Sequence, residues 1–155
     1  MVFNRLKFFL SHVIIDSQSA FLFGRLITNN VLMAFETLHY LKRKTQGQLG
    51  FMALKLEMSK AYDRVEWVFL MKVVKHLGFL DKLVSLITSC MSTFSYSVLL
   101  NGQPVGHIKP SRGLRQGDSL SPYLFLLCAM GLQGLIKKAE NNVNIRGVSI
   151  CRNGL

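Results

Sequence analysis

Apolar side chains recur at helical spacing from Asn30 to about Lys44. Val31, Phe35, Leu38 and Leu41 mark one face, and Lys42, Arg43 and Lys44 crowd the last turn, where cations suit the helix dipole. Thr45-Gln46-Gly47 ends that segment. Residues 50–58 change period: Met52, Leu54, Leu56 and Met58 alternate with Phe51, Ala53, Lys55 and Glu57, which predicts a strand. Asp63 and Glu66 have capping-box spacing ahead of a helix that runs to about Leu77 and closes on Gly78. A further helix is expected over Lys82 to Met91. Tyr96 to Leu100, Asn101-Gly102 and Gln103 to Ile108 read as a hairpin, because Asn-Gly suits a type I′ turn. Arg112 to Leu120 is a glycine-containing loop, and Ser121 as N-cap, with Pro122 at the first helical position, opens a long helix over Tyr123 to Ala139. Ile145 to Cys151 reads as a last strand. The order is helix, strand, helix, helix, hairpin, helix, strand, an α+β class.

At 155 residues the chain suits one domain, and no repeat or Pro/Gly/Ser-rich linker divides it. Half the residues are apolar and 17% are charged, a globular composition. Lys and Arg outnumber Asp and Glu by 19 to 8, and the net charge of +11 favours a polyanion, nucleic acid first. Three cysteines without a CxxC or Cys/His pairing argue against a disulfide framework or zinc site and for a reducing compartment. The N-terminal MVFNRLKFFLSHVIID has early basic residues and an apolar stretch. Arg5, Lys7 and His12 interrupt it, so it reads as an amphipathic segment rather than a signal peptide or membrane span. The expectation is an intracellular protein of the cytoplasm or nucleus, not secreted and without a membrane partner.

Three stretches carry chemistry. In FMALKLEMSKAYDRVEW, residues 51–67, a strand ends on Glu57 and a second carboxylate, Asp63, follows. Acids presented at a sheet edge can hold Mg²⁺, while a helix cap and a solvated strand-end charge are the structural alternatives. In SRGLRQGDSLSPYLF, residues 111–125, two arginines and two glycines precede a helix start. Backbone amides, a positive helix end and guanidinium groups there suit a phosphate or nucleotide, against the alternative of an ordinary basic loop. QSAFLFGRLITNN, residues 18–30, sets Arg25 ahead of a helix and by itself indicates a turn.

Together, QSAFLFGR, ALKLEMSKAYDRVEW and RGLRQGDSLSPYLF resemble the reverse transcriptase domain of LINE-type, non-LTR retrotransposons, plant elements most closely, over about Arg5 to Cys151. The resemblance implies a partial right-hand polymerase fold within a single domain: fingers over residues 1–48 and an incomplete palm over 49–155, with no thumb. It implies RNA-directed DNA polymerase chemistry, a two-metal nucleotidyl transfer with Mg²⁺ that takes RNA template, DNA primer and dNTPs. Glu57 stands at the first metal-aspartate position, and is thus the candidate catalytic and metal residue. Tyr62 matches the aromatic gate against a ribose 2′ hydroxyl, with packing near Trp67 as its alternative. Gln116 and Gly117 match the loop on the incoming nucleotide, Arg25 matches the fingers arginine, and Arg112 and Arg115 would meet backbone phosphates.

The chain departs from that family's pattern. The family reads KLDMSKAYDRV where this chain has Glu57, and the extra methylene strains octahedral Mg²⁺ geometry. A shift of about 1 Å in a reacting constellation costs on the order of a hundredfold in rate. No Asp-Asp pair occurs in the 155 residues, so two of three metal carboxylates are lacking. Ser119 replaces a proline, and Leu22-Phe23 replaces Val-Pro. The expectation is a truncated reverse transcriptase domain inactive by itself, marginally stable and prone to aggregate through an unpaired apolar edge at Phe51–Met58. A non-catalytic, basic nucleic-acid-binding protein is the alternative.

Overall fold

The computed structural model describes residues 2–15, 18–22, 24–44 and 50–148. They fall into two compact units, Met1–Glu57 with Gln133–Leu155, and Met58–Leu132.

In the first unit, helix α1 spans Val2–Val13. Leu6 and Leu10 lie one helical turn apart, Ile14 follows four residues on, and all three are buried, so the N-terminal segment is the amphipathic helix that its pattern predicts. Leu22 and Ser19 are buried after it, and the Ser19 hydroxyl donates to Asn30 Oδ1 at 3.0 Å. Helix α2 spans Ile27–Arg43, three residues earlier at its start than its apolar period suggests. None of its described residues is buried, and Val31, Phe35 and Leu38 are exposed. The Lys44 ammonium lies 4.1 Å from the Phe51 ring centroid, a cation–π contact.

Residues 50–58 are a correction to the predicted strand. They take no regular secondary structure, and Met52, Leu54, Leu56 and Met58 are exposed. A strand needs a neighbour for its backbone N–H and C=O groups, and among the described residues the hairpin is a closed pair that does not include this segment. Residues 145–148 likewise form no strand, and the rest of the strand predicted to Cys151 lies outside the described residues.

The second unit supplies the larger core. Helix α3 spans Trp67–His76 and helix α4 Asp81–Ser92; they pack together and bury Leu70, Val74, Val84, Ile87 and Met91. At roughly 1.5–3 kcal/mol for each fully buried aliphatic side chain, this stripe outweighs any single polar contact in the unit. α3 ends in a Schellman pattern, with Gly78 N–H donating to Lys75 O and Phe79 N–H to Val74 O. Its start corrects the capping box: Glu66 is the N-cap residue and makes no side-chain cap bond, while Asp63 lies in a turn before it.

The hairpin is where the sequence puts it. Strand β1 is Tyr96–Leu100 and β2 is Gln103–Ile108, paired antiparallel with Leu100 opposite Gln103. Asn101 and Gly102 have φ of 50° and 80°, as a type I′ turn requires. Every residue of both strands is exposed. Helix α5, Ser121–Asn141, buries Ser121, Tyr123, Leu124, Leu126 and Leu127. Ser121 is its first residue rather than its cap, and Leu120 O accepts from the Tyr123 and Leu124 amides. The architecture is mixed helix and strand, with one small sheet among the described residues.

Candidate functional site

The site is built on a junction between the turn at residues 59–64 and the loop at 111–120. The turn is tight: Lys60 has φ 53°, and Arg64 N–H donates to Lys60 O at 3.2 Å. Two backbone bonds join the segments, Leu114 N–H to Tyr62 O at 2.9 Å and Gly113 N–H to Val65 O at 2.7 Å. Trp67, the sole tryptophan, adds a third: its indole Nε1–H donates to Gly113 O at 2.7 Å. Gly113 sits at φ +87°, and a Cβ there would lie 3.1 Å from Asp63 O and 3.3 Å from Asp63 Cα. Only glycine allows two backbones to approach this closely in that conformation.

Beside the junction, and sharing Tyr62 with it, is a depression of about 330 Å³, lined by Tyr62, Gln116, Gly117, Asp118, Ser119, Ser121 and Pro122. The Tyr62 ring is stacked on Phe125 of α5, with centroids 5.0 Å apart and planes 12° from parallel. That stack fixes one wall, and burial raises the Tyr62 hydroxyl above its ordinary value. Asp118 Oδ1 accepts from the Leu120 amide at 3.2 Å and shapes the loop ahead of α5. Chemically this is an open cup with one aromatic wall, a carboxamide, the Asp118 carboxylate, two serines and the backbone of a glycine turn.

Tyr62, Gln116 and Gly117, expected from separate motifs, are thus neighbours. Arg112 lies across the loop, its guanidinium 3.8 Å from Glu66 Oε1 with both side chains more than half exposed. Arg115 is exposed on the same loop. Glu57 and Arg25 belong to the other unit. Arg25 donates to the carbonyls of Ile15, Gln18 and Ile14 at 2.5, 2.8 and 3.3 Å, and so closes the chain after α1. Glu57 is solvent-exposed and 3.6 Å from Lys55 Nζ. No group of three His, Cys, Asp or Glu side chains among the described residues is arranged to hold a metal ion. This donor set does not fit a two-metal clamp, and no metal-dependent step is assigned to it. Phe125 and the Trp67–Gly113 bond carry no sequence signal beyond an aromatic near each motif, because their partners are set by the fold.

No helix among the described residues is long and apolar enough to cross a membrane. The family profile described as reverse transcriptase (RNA-dependent DNA polymerase) matches residues 1–151. An uncharacterized mitochondrial protein of Arabidopsis thaliana is 49% identical over 55 residues, covering 36% of this chain and 45% of that protein. The Transposon TX1 uncharacterized 149 kDa protein of Xenopus laevis is 31% identical over 134 residues, 86% of this chain and 10% of its own length. A retrovirus-related Pol polyprotein from the type-1 retrotransposable element R2 of Popillia japonica is 28% identical over 87 residues, 56% of this chain and 14% of the polyprotein. The chain therefore spans less than half the length of each of these relatives.

Proposed function

Because this chain belongs to the reverse transcriptase family, in its LINE-type, non-LTR branch, we propose that the Met58–Leu132 unit carries the incoming-nucleotide side of an RNA-templated DNA polymerase site, and that the 155-residue polypeptide alone does not polymerise. The observation that carries the reading is the shared depression: Tyr62, Gln116 and Gly117 line one cup, with Tyr62 held by Phe125. In this role Tyr62 is the wall against which a deoxyribose packs and a 2′ hydroxyl clashes. Gln116 offers a carboxamide, and Arg112 and Arg115 face backbone phosphates. Arg25 keeps the fingers turn in shape, within a fingers segment of residues 1–48 and a palm segment of 49–155. RNA template, DNA primer and dNTPs are the proposed partners.

The family depends on divalent metal ions. Here Glu57 is a single exposed carboxylate at the first metal position, and the sequence holds no Asp-Asp pair. One acidic side chain cannot hold two Mg²⁺ ions in octahedral geometry. Primer extension on an RNA template, with Mg²⁺ or Mn²⁺, is the test. No template-dependent product is expected from this polypeptide, and extension above a no-protein control overturns the inactive reading. The charge of +11 supports a second role, salt-sensitive binding to RNA or DNA without catalysis. Equal affinity at low and physiological salt would remove it.

A further inference from the structure

We propose that a second depression, on the Asp63 side of the Gly113 junction, takes one unpaired base of a single-stranded nucleic acid. It measures about 220 Å³ and is lined by Asp63, Phe94, Tyr96, Pro110, Arg112, Gly113 and Leu114. That is below the ~300–1,000 Å³ of pockets that engulf a drug-sized ligand, and suits a single planar ring. Two of its walls are aromatic. Phe94 and Tyr96 meet edge to face, centroids 5.4 Å apart and planes at 74°, an arrangement that leaves ring surface uncovered; Tyr96 is 42% exposed.

The charges at the rim sort the two ends of a nucleotide. Arg112 is bound only loosely to Glu66, at 3.8 Å with both side chains more than 60% exposed, and such an ion pair exchanges readily for a phosphate. Asp63 repels phosphate and accepts from a base's exocyclic amine. Base inward and phosphate toward Arg112 is therefore the favoured orientation. Leu114, buried at the floor, and Gly113, locked at φ +87°, keep the depression shaped. The inference rests on nucleic acid being the partner, but it uses none of Tyr62, Gln116 or Gly117.

The test titrates the full chain into a trace fluorescent RNA oligonucleotide at several salt concentrations, with single-stranded DNA and duplex as parallel arms. Tyr96→Ala is expected to weaken single-strand binding about five- to hundredfold, the range for losing one base–aromatic stack, without changing the salt slope. Tyr96→Phe retains affinity. Arg112→Gln lowers the slope by about 0.7, one phosphate contact on a single strand. Undiminished affinity in Tyr96→Ala, or duplex bound as tightly as single strand, overturns the proposal. Photocrosslinking of a bromouridine oligonucleotide to the unaltered chain is the second measurement: adducts at Phe94 or Tyr96 support the site, and adducts confined elsewhere refute it. dNTP binding is measured in the same variants. If it is absent throughout while this pattern holds, the nucleotide reading of the Tyr62 depression fails and the base site stands.

Discussion

Replacing Gly113 by alanine probes the junction that both depressions share. Two costs follow from the structure. The first is conformational: at φ +87° an L side chain crowds its own backbone, about 1–2 kcal/mol. The second is contact. The new Cβ would meet Asp63 O at 3.1 Å, Cα at 3.3 Å and C at 3.4 Å, all backbone atoms that cannot rotate away. Relief requires the loop to move off the turn, stretching the Gly113–Val65 and Leu114–Tyr62 bonds, and forced overpacking of this kind costs about 1–3 kcal/mol. Gly117 is the control: its φ of +83° carries the same conformational cost, yet a Cβ there meets nothing within 4 Å. Urea unfolding followed by Trp67 emission reads both variants, since Trp67 is the sole tryptophan and is bonded to Gly113 itself. With a denaturant slope of about 1–3 kcal/mol/M, the contact cost puts the midpoint of Gly113→Ala roughly 0.3–3 M below that of Gly117→Ala. Equal midpoints would show that the close approach of the two segments does not stabilise the unit.

Trp67→Phe keeps most of the ring and removes the indole donor from Gly113 O; a loss of about 1 kcal/mol in the same kind of urea titration, followed by circular dichroism, is expected, and no loss would mean that the bond is not formed in solution. Burial pushes the Cys128 thiol up to about 12 from its ordinary 9.0, so the folded state holds that proton more tightly than the unfolded state. Its contribution to stability is complete below pH 9 and is lost as pH rises toward 12, so the fall in urea midpoint above pH 9 is shallower in Cys128→Ala than in the unaltered chain. In a Cys151→Ser background the exposed Cys90 should react with a thiol reagent well before Cys128 does. The exposed apolar side chains of Phe51, Met52, Leu54, Leu56 and Met58 predict self-association at micromolar concentration, reduced by Leu54→Lys and Leu56→Lys together; a cooperative melt of a monomer by sedimentation and calorimetry would refute it.

Local signals were legible in the sequence, and signals that depend on a distant partner were not. The hairpin follows from Asn101-Gly102, whose backbone preference is intrinsic, α2 follows from its apolar period to within a few residues, and α4 matches the helix expected over Lys82 to Met91. Residues 50–58 carry a clear alternation, but alternation states only which side chains share a face, not that a neighbouring strand is there to pair with. Asp63 and Glu66 have the spacing of a cap, yet the Lys60 turn holds Asp63 outside the helix, and α3 starts at Trp67. At the site, the family resemblance put Tyr62, Gln116 and Gly117 at an incoming nucleotide, whereas the Phe125 stack that holds Tyr62 has no counterpart in either motif. The indole bond between Trp67 and Gly113, 46 residues apart, is a product of tertiary packing and has no counterpart in either motif.

In the proposed role, the Tyr62, Gln116 and Gly117 depression receives the incoming nucleotide. Titrating dNTP into the full chain with Mg²⁺ present, read by Trp67 emission, tests it most directly, with Tyr62→Ala and Gln116→Ala as the variants. A saturable change is expected at micromolar to millimolar dNTP, the ordinary range for such substrates, weakened about tenfold or more in each variant. Saturable binding that both substitutions leave unchanged would contradict it.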